Sequence, residues 1–279
     1  MASGKGIVQG GFGRVILLDI DRPVTAHAHP HCHVIIKIAG ADSSFEVDGR
    51  LYPLTDETMV VVNAWEPHAY PLQAGAPRAL VLALYIETAW LAHLDRALTV
   101  SGHPVFFLRP CWPLSHSLRR RAHEVAACVA SGEAHGPMYE ALLAEFMLQI
   151  IDQCSQWRLW RGSHAVTTST ISDFRIRRAI AFLHEHLSCP PNVHDLARVA
   201  GLSRAHFFAL FHQHTRVTPH VYANTLRMEA AYHVLPDAST SLAQLSRALG
   251  FTAQSHFSRF FRNHLSFSPA QYRRVVRLA

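Results

Sequence analysis

Two stretches of this chain repeat each other: LARVAGLSRAHFFALF at residues 196–211 and LSRALGFTAQSHFSRFF at residues 245–261. Each stretch has apolar residues at helical spacing, then a glycine, Gly201 or Gly250, and then a second helical run that ends in phenylalanines. A glycine at this position permits the positive φ that ends one helix before the next begins. The repeat therefore predicts two helix-turn-helix units in the C-terminal part of the chain.

These units are predicted at about residues 193–214 and 242–264. Ser203 and Thr252 stand where the second helix of each unit needs an N-cap. Between the units, residues 218–235 begin with Thr-Pro and end before another proline, which predicts a long connecting helix of about 26 Å. With its flanking turns, such a helix can set the two recognition helices about one turn of DNA, roughly 34 Å, apart.

The second helix of each unit has an outward face that we expect to enter the major groove of DNA. The residues on this face are Arg204, Ala205, Ala209 and His212 in the first unit and Gln254, Ser255, Ser258, Arg259 and Arg262 in the second. A guanidinium at Arg259 can bond the O6 and N7 atoms of a guanine together, whereas its counterpart Ala209 offers only a methyl group. We therefore expect the second unit to carry most base specificity, with Arg204 and His212 making phosphate or peripheral contacts.

The charge distribution also favours nucleic acid as the partner. Residues 1–164 contain 13 Lys and Arg against 15 Asp and Glu, whereas residues 165–279 contain 13 against 5. The net charge of +6 therefore comes from the C-terminal part, where all 13 cations are Arg, a side chain suited to phosphates and guanine edges. A solvated basic face gives the same charge, but two helix-turn-helix units together with it favour double-stranded DNA.

Residues 1–113 have strand patterns in place of helical ones. Short segments rich in Val, Ile and Leu are separated by turn sequences such as Asp-Gly. The pattern predicts an antiparallel barrel or sandwich, followed by a helical region at 114–160 and a small, polar linker at 161–171. The predicted fold class is thus α+β multidomain, with an all-α domain at residues 172–279.

One helix of the helical region, at about residues 137–160, has an apolar seam with spacings of 4, 3, 4 and 3. The seam consists of Leu143, Met147, Ile150, Cys154 and Trp157. Two heptads of this kind fit either packing onto the helix's own domain or pairing with a second subunit. We predict pairing, and with it a homodimer, because the seam otherwise needs a cover within the chain.

Residues 172–279 resemble the DNA-binding domain of the AraC/XylS family of transcriptional regulators. The second unit and the SPAQYRR segment that begins at Ser268 match the family signature almost position for position. The resemblance implies binding to promoter DNA, control by a small-molecule effector, and contact with RNA polymerase if the protein is an activator. The family usually has a polar residue and then Arg where this chain has Phe208 and Ala209, so the first unit lacks its most common base-reading cation.

HAHPHCH at residues 27–33 and NAWEPHAY at residues 63–70 resemble the cupin-type barrel that many of these regulators carry as a sensor. In an extended segment, the alternating histidines at 27, 29, 31 and 33 project from one face. The residues that we expect to contact the effector are His29, His31, His33, Trp65, His68 and Tyr70.

The same resemblance raises the question of a bound metal. In metal-binding cupins an HxH pair, a glutamate and a later histidine converge inside the barrel. Here His31 and His33 match the pair and His68 the later histidine, but Ile-Lys-Ile at residues 36–38 replaces the glutamate. Three neutral imidazoles suffice for Zn²⁺, Ni²⁺ or Fe²⁺. The alternative is a metal-free barrel whose histidines line an effector pocket.

Other function classes have less support. A metal-dependent cupin enzyme would need the missing glutamate, and GxSxG, Walker and Rossmann motifs are absent from the sequence, so we expect no enzyme. The longest apolar run, residues 79–86, is too short to span a membrane. Five cysteines without CxxC spacing fit a reduced, cytoplasmic location in a bacterium. The sequence therefore predicts a regulator that responds to a small molecule or to a metal ion.

Overall fold

The computed structural model describes residues 6–72, 75–160, 171, 173–189 and 191–279. These residues form a β-barrel with helices on one side, followed by a helical part. Of the predicted linker at 161–171, only Ile171 belongs to the described residues, and the other positions lie outside them.

Two sheets build the barrel. In the described residues its strands are β1 Gly6–Gly10, β2 Gly13–Ile20, β3 Val24–His27, β4 Cys32–Gly40, β5 Ser43–Val47, β6 Arg50–Leu54, β7 Thr58–Val62, β8 His68–Tyr70, β9 Ala79–Ile86 and β10 Cys111–Pro113. The larger sheet has the order β10-β7-β4-β9-β2-β1, and the smaller one has the order β3-β8-β5-β6. All these neighbours are antiparallel, which confirms the predicted barrel.

The histidine-rich segment does not form one continuous strand. β3 ends at His27, and residues 28–31 carry the chain from the smaller sheet to the larger one, where β4 begins at Cys32. The expectation that all four alternating histidines share one face is therefore wrong. Pro30 in this crossing lacks the N–H that a continuing strand ladder would need.

Three helices follow the barrel strands in the described part of the chain: α1 Thr88–Leu94, α2 His116–Ser131 and α3 Gly136–Cys154. Their apolar sides cover one face of the larger sheet. Leu118 of α2 and Phe146 of α3 belong to the same buried cluster as Val34 and Leu84 of the sheet. The opposite face of the larger sheet faces the barrel interior.

The apolar seam of α3 is buried inside this cluster. Leu143, Met147, Ile150 and Cys154 are fully buried within the single chain, and Trp157, in a 3-10 turn after α3, is 2% exposed. The prediction that the seam pairs with a second subunit is therefore wrong, because the sheet and α2 already cover it. Homodimerisation stays a prediction without an assigned contact.

The C-terminal part is helical, as predicted. Its helices are α4 Phe174–Glu185, α5 Val193–Ala200, α6 Arg204–Thr215, α7 Pro219–Val234, α8 Leu242–Ala248, α9 Gln254–Leu265 and α10 Pro269–Val275. α5 and α6 form the first helix-turn-helix unit, α8 and α9 form the second, and α7 connects them. Among the described helices, none has the length and apolar character needed to cross a membrane.

Local chemistry sets the boundaries of the two units. Gly201 ends α5 with a φ of 69°, and the Ser203 side chain caps the start of α6. The prediction that Thr252 caps α9 is wrong, because the N-cap is Ala253, which makes no side-chain cap bond. The extra residue in the second copy moves the helix start by one position, and Thr252 Oγ1 instead lies 3.1 Å from His256 Nδ1.

The end of the chain returns to the barrel. Strand β11, Val276–Leu278, pairs in parallel with β1 and extends the larger sheet at that edge. The Tyr272 hydroxyl of α10 donates to Gln9 Oε1 of β1 at 3.0 Å. The last residues of the predicted DNA-binding domain are therefore part of the N-terminal sheet.

Candidate DNA-binding surface and effector site

The recognition helices α6 and α9 expose the residues that we expect to contact DNA. The exposed residues are Arg204, Ala205, Ala209 and His212 on α6 and Gln254, Ser255, Arg259 and Arg262 on α9, while Ser258 is half-buried. On the opposite faces, Phe207 and Phe211 of α6 and Phe257 and Phe261 of α9 are fully buried. Each helix thus has a core face and a free face, as a helix that enters a DNA groove requires.

The arginines on the free faces are not neutralised by neighbouring acids. Within the part of the chain that the structure describes, Arg204, Arg259 and Arg262 form no ion pair. By contrast, Arg198 of α5 pairs with Asp195 at 3.4 Å. Free guanidinium groups on an exposed helix face are available for phosphates and base edges.

The second unit shares its hydrophobic core with the barrel. Phe257 and Phe261 of α9 belong to the same buried cluster as Ile16 of β2. α9 also packs along β3, where the Thr25 hydroxyl donates to the backbone carbonyl of Asn263 at 3.1 Å. The barrel and the second unit are therefore packed as one body.

A buried ion pair joins the barrel to α7, the helix that leads into the second unit. Arg14 on β2 donates two hydrogen bonds to the Glu229 carboxylate on α7, at 2.9 and 3.0 Å. The Arg14 guanidinium also lies 3.9 Å from the centre of the Tyr232 ring. The two charged side chains are only 5% and 18% exposed, so their pairing depends on the barrel and α7 staying in contact.

His31 belongs to this ion-pair network. Its Nε2 lies 2.9 Å from Glu87 Oε1 and 3.8 Å from Glu229 Oε2. Burial raises the pKa of Glu229, but Arg14 and His31 outweigh burial and hold that pKa below its usual value. The hydrogen bond with His31 likewise lowers the pKa of Glu87. The predicted role of His31 as a metal ligand stays a prediction, because its Nε2 is directed to two carboxylates while its Nδ1 is buried without a hydrogen-bond partner.

Four other histidines meet inside the barrel. The ring of His68 is centred 4.3 Å from His27, 4.8 Å from His29 and 5.2 Å from His33. Ligand nitrogens of His27, His29 and His68 lie within 4.8 Å of one another. Of the three predicted metal ligands, His68 belongs to this group, and His27 and His29 occupy the places predicted for His31 and His33.

Hydrogen bonds fix the tautomer of three of these rings. The Nδ1 atoms of His27, His33 and His68 each donate to a backbone carbonyl, at 2.8–2.9 Å. A carbonyl oxygen only accepts, so each Nδ1 carries the hydrogen and each Nε2 has a free lone pair. Burial lowers the pKa of His33 and of His68 to about 3, and it lowers the pKa values of His27 and His29 well below their usual range. The four imidazoles are therefore neutral at neutral pH.

The cavity beside these rings is small. Its volume is about 30 Å³, and α9 closes it with His264 and Leu265. Sites for organic ligands usually measure about 300–1,000 Å³, whereas one water needs about 10–15 Å³. The predicted effector residues at or beside this cavity are His29, His33, His68 and Tyr70. The cavity has room for an ion or a few small molecules the size of water.

Trp65 lies elsewhere, at the interface with the first unit. Its ring stacks on Tyr222 of α7, with centres 4.4 Å apart and an angle of 3° between the planes. Both rings line a cleft of about 610 Å³ that also includes Thr215 and Arg216. Arg216 spans the interface by donating to the backbone carbonyl of Pro104 at 3.0 Å. The predicted effector residues are thus divided between three places, which are the barrel cavity, this cleft and the ion-pair network that contains His31.

Sequence reasoning missed several residues of these sites. They are Arg14, His27, Glu87, Glu229 and His264. Arg14 and Glu229 are 215 residues apart, and nothing local pairs them. The sequence signals for two of them are an arginine inside the apolar strand GRVILLDI and the HxH spacing of residues 27 and 29, which precedes that of residues 31 and 33.

Fold and site define a class of protein, a transcriptional regulator that joins a DNA-binding domain to a ligand-binding barrel. Residues 20–151 match the family model of the AraC-like ligand binding domain, and residues 196–275 match that of a helix-turn-helix domain. The chain is 32% identical over 258 residues to the probable transcriptional regulator LumQ of Photobacterium leiognathi, across 92% of this chain and 95% of that relative. The chain belongs to the AraC family of transcriptional regulators.

Two further comparisons cover nearly the whole chain. The HTH-type transcriptional activator RhaS of Escherichia coli O139:H28 is 26% identical over 249 residues, across 88% of this chain and 86% of that relative. Among solved structures, wild-type ToxT from Vibrio cholerae strain SCE256, with an unsaturated fatty acid bound, has a TM-score of 0.55 at 12% identity, over 94% of both chains. The likeness to ToxT supports the two-domain fold.

Proposed function

We propose that this chain binds double-stranded promoter DNA through the free faces of α6 and α9, and that the second unit reads most of the base sequence. The support is the set of exposed, unpaired arginines on these faces. Arg259 and Arg262 on α9 offer two guanidinium groups to base edges, whereas α6 offers Arg204 at its start and Ala209 in its middle. The relative RhaS is named an activator, so we propose activation, with contact to RNA polymerase, for this chain as well.

Control of this binding runs through the contact between the barrel and the second unit. The observation that carries this step is the buried Arg14–Glu229 pair together with the core shared by the barrel and α9. The free face of α9 is exposed while the unit is docked, so the docked form can bind DNA, and we propose that it is the form that does. A ligand that binds the docked form more tightly then raises DNA affinity by at most the ratio of its affinities for the two forms.

The two cavities differ in the ligands that they can hold. The cavity of about 30 Å³ under α9 is far too small for a fatty acid such as the one bound to ToxT. The cleft of about 610 Å³ beside Trp65 has room for an organic molecule, and a ligand there would act on the first unit through Tyr222. We place the controlling ligand in the barrel, because that cavity is closed by the helix that reads the bases.

In vitro selection from random duplex DNA, followed by anisotropy titrations, tests the proposed function. We expect wild type to select a consensus sequence and the double variant Arg259→Ala/Arg262→Ala to lose that preference. Arg120→Ala, an exposed arginine on α2, is the matched control and leaves the selection unchanged. Failure to select any consensus contradicts the proposal.

The docking step has a test of its own. Arg14→Ala removes a barrel residue that lies outside the recognition faces, and we expect it to weaken DNA binding at least about fivefold. Wild-type DNA affinity in a folded Arg14→Ala protein contradicts control through the docked second unit.

A further inference from the structure

We propose that His27, His29 and His68 bind one divalent transition-metal ion of the Zn²⁺ class, and that this ion is the ligand that stabilises the docked second unit. The regulatory part of this proposal rests on the proposed function, whereas the metal site rests only on the geometry of the three histidines. Each of the three side chains offers one nitrogen, and these ligand atoms lie within 4.8 Å of one another.

The strongest support is a set of buried nitrogen atoms without partners. Both ring nitrogens of His29 and the Nε2 of His68 are buried and form no hydrogen bond. The two residues are only 4% and 2% exposed. A buried polar atom left without a partner costs about 1–3 kcal/mol, so three such atoms at one place need an explanation. A metal ion would bond one nitrogen of each ring.

The surroundings hold the rings in the form that binds metal. His27 and His68 each donate Nδ1–H to a backbone carbonyl, at 2.9 and 2.8 Å, which leaves Nε2 free. Metal-binding histidines in proteins almost always make such a hydrogen bond through the second ring nitrogen.

The donor set also narrows the class of metal. All three ligands are imidazoles, and the nearby carboxylates of Glu87 and Glu229 are occupied by His31 and Arg14. Imidazole donors suit Zn²⁺, Cu²⁺ and Ni²⁺, whereas Mg²⁺ and Ca²⁺ prefer oxygen. With three protein ligands, a fourth position is open to water or to the ring of His33, whose centre lies 5.0 Å from that of His29.

The position of the site connects the ion to the base-reading helix. Tetrahedral Zn²⁺ places its nitrogen ligands about 3.4 Å apart, so ion binding draws the rings closer than their present spacing of up to 4.8 Å. His27 ends β3, whose pairing with β8 is irregular between Val24 and His27. β3 is also the strand on which α9 lies, and the ring of His264 is centred 6.1 Å from that of His27. Movement of His27 is therefore transmitted to α9.

Titration of the metal-free full-length protein with Zn²⁺, followed by calorimetry, measures the site directly. We expect one ion per chain, and visible absorption bands of tetrahedral Co²⁺ when Co²⁺ replaces Zn²⁺. His29→Ala and His68→Ala should each weaken binding at least about tenfold. His27→Gln is a third variant at the end of an edge strand, where a folding defect is not expected. His123→Ala, an exposed histidine on α2, is the matched control.

The DNA affinity of the same proteins is then measured by titration with and without Zn²⁺. We expect Zn²⁺ to raise the DNA affinity of wild type about fivefold or more and to leave that of His29→Ala unchanged. Absence of saturable Zn²⁺ binding, or full binding in all three variants, overturns the metal site. Zn²⁺ binding at these residues with unchanged DNA affinity overturns the regulatory role. Loss of DNA recognition in every protein, with Zn²⁺ binding intact, instead contradicts the proposed function.

Discussion

The two helix-turn-helix units have the same motif and related sequences, but they are attached to the barrel in different ways. The first unit has a core of its own, in which Phe207 and Phe211 pack with α4, α5 and α7 and, among the described barrel residues, with only Ala28 and Trp65. In the described structure, the second unit has no core separate from that of the barrel, because Phe257 lies in a cluster that extends through the barrel interior.

This difference assigns different tasks to the two copies. The unit with Arg259 on its free face is fixed to the sensor by a shared core and the β11 strand, and a buried ion pair fixes the α7 helix that leads into it. The unit with Ala209 at the matching position is held by a stacked ring pair and a few hydrogen bonds. Under the proposed function, a barrel that positions the second unit controls base specificity, whereas the first unit adds affinity.

The largest effects should come from the two matching core phenylalanines. Phe207→Ala and Phe257→Ala each remove a fully buried ring, which costs about 3–5 kcal/mol. We expect Phe257→Ala to destabilise the barrel as well, whereas Phe207→Ala leaves the barrel strands protected. Hydrogen exchange of β2 and β9 in both variants measures the difference. Equal loss of protection in the two variants would show that both units share one core.

Breaking the buried ion pair should have the next largest effect, a loss of about 3 kcal/mol in the free energy of unfolding. Arg14→Ala leaves the Glu229 carboxylate buried without its partner, and denaturant unfolding should report this cost. Arg121→Ala, which breaks the exposed pair with Glu145, is the control and should cost at most about 1 kcal/mol. The double variant Arg14→Met/Glu229→Leu should recover most of the loss, because neither charge remains. A cost as small as that of the control contradicts a docked second unit.

The next effect concerns DNA recognition. Arg259→Ala should weaken binding to the selected site by about 1–3 kcal/mol and relax preference at one base pair. Arg204→Ala should lower affinity for all sequences alike and reduce the salt dependence by about one unit. Titrations against the selected site, its single-base variants and random DNA separate the two patterns. Equal losses on specific and random DNA for Arg259→Ala would refute base reading by the second unit.

The smallest effect is the pH dependence of the ion pair. The pKa of Glu229 is lowered from 4.5 in the folded chain, so its contribution to stability is present above about pH 4.5 and is lost as the pH falls through the folded pKa. The difference in unfolding free energy between wild type and Glu229→Gln should therefore be largest near neutral pH and shrink below about pH 4.5. A constant difference down to about pH 3 would place the stabilisation outside this carboxylate.

Sequence patterns were sufficient to predict the elements of structure that depend on neighbouring residues along the chain. The Gly201 turn, the Ser203 cap and the long α7 helix follow from local propensity, and the strands follow from their apolar content. The cover of the α3 seam depends on which face of the sheet the helix meets, and a 4-3 spacing cannot distinguish a sheet from a second subunit. In the same way, the HxH spacing was visible, but the choice between residues 27 and 29 and residues 31 and 33 depends on where the chain crosses between sheets.

Hydrogen exchange of the two recognition helices tests the central claim most directly. In wild type we expect the amides of α9, residues 254–265, to exchange only with opening of the barrel, and those of α6, residues 204–215, to exchange through a smaller, local opening. In Arg14→Ala, protection should fall in α9 and stay unchanged in α6. Equal protection of the two helices in wild type, or an equal loss in Arg14→Ala, would contradict the claim that the barrel holds the second unit more firmly than the first.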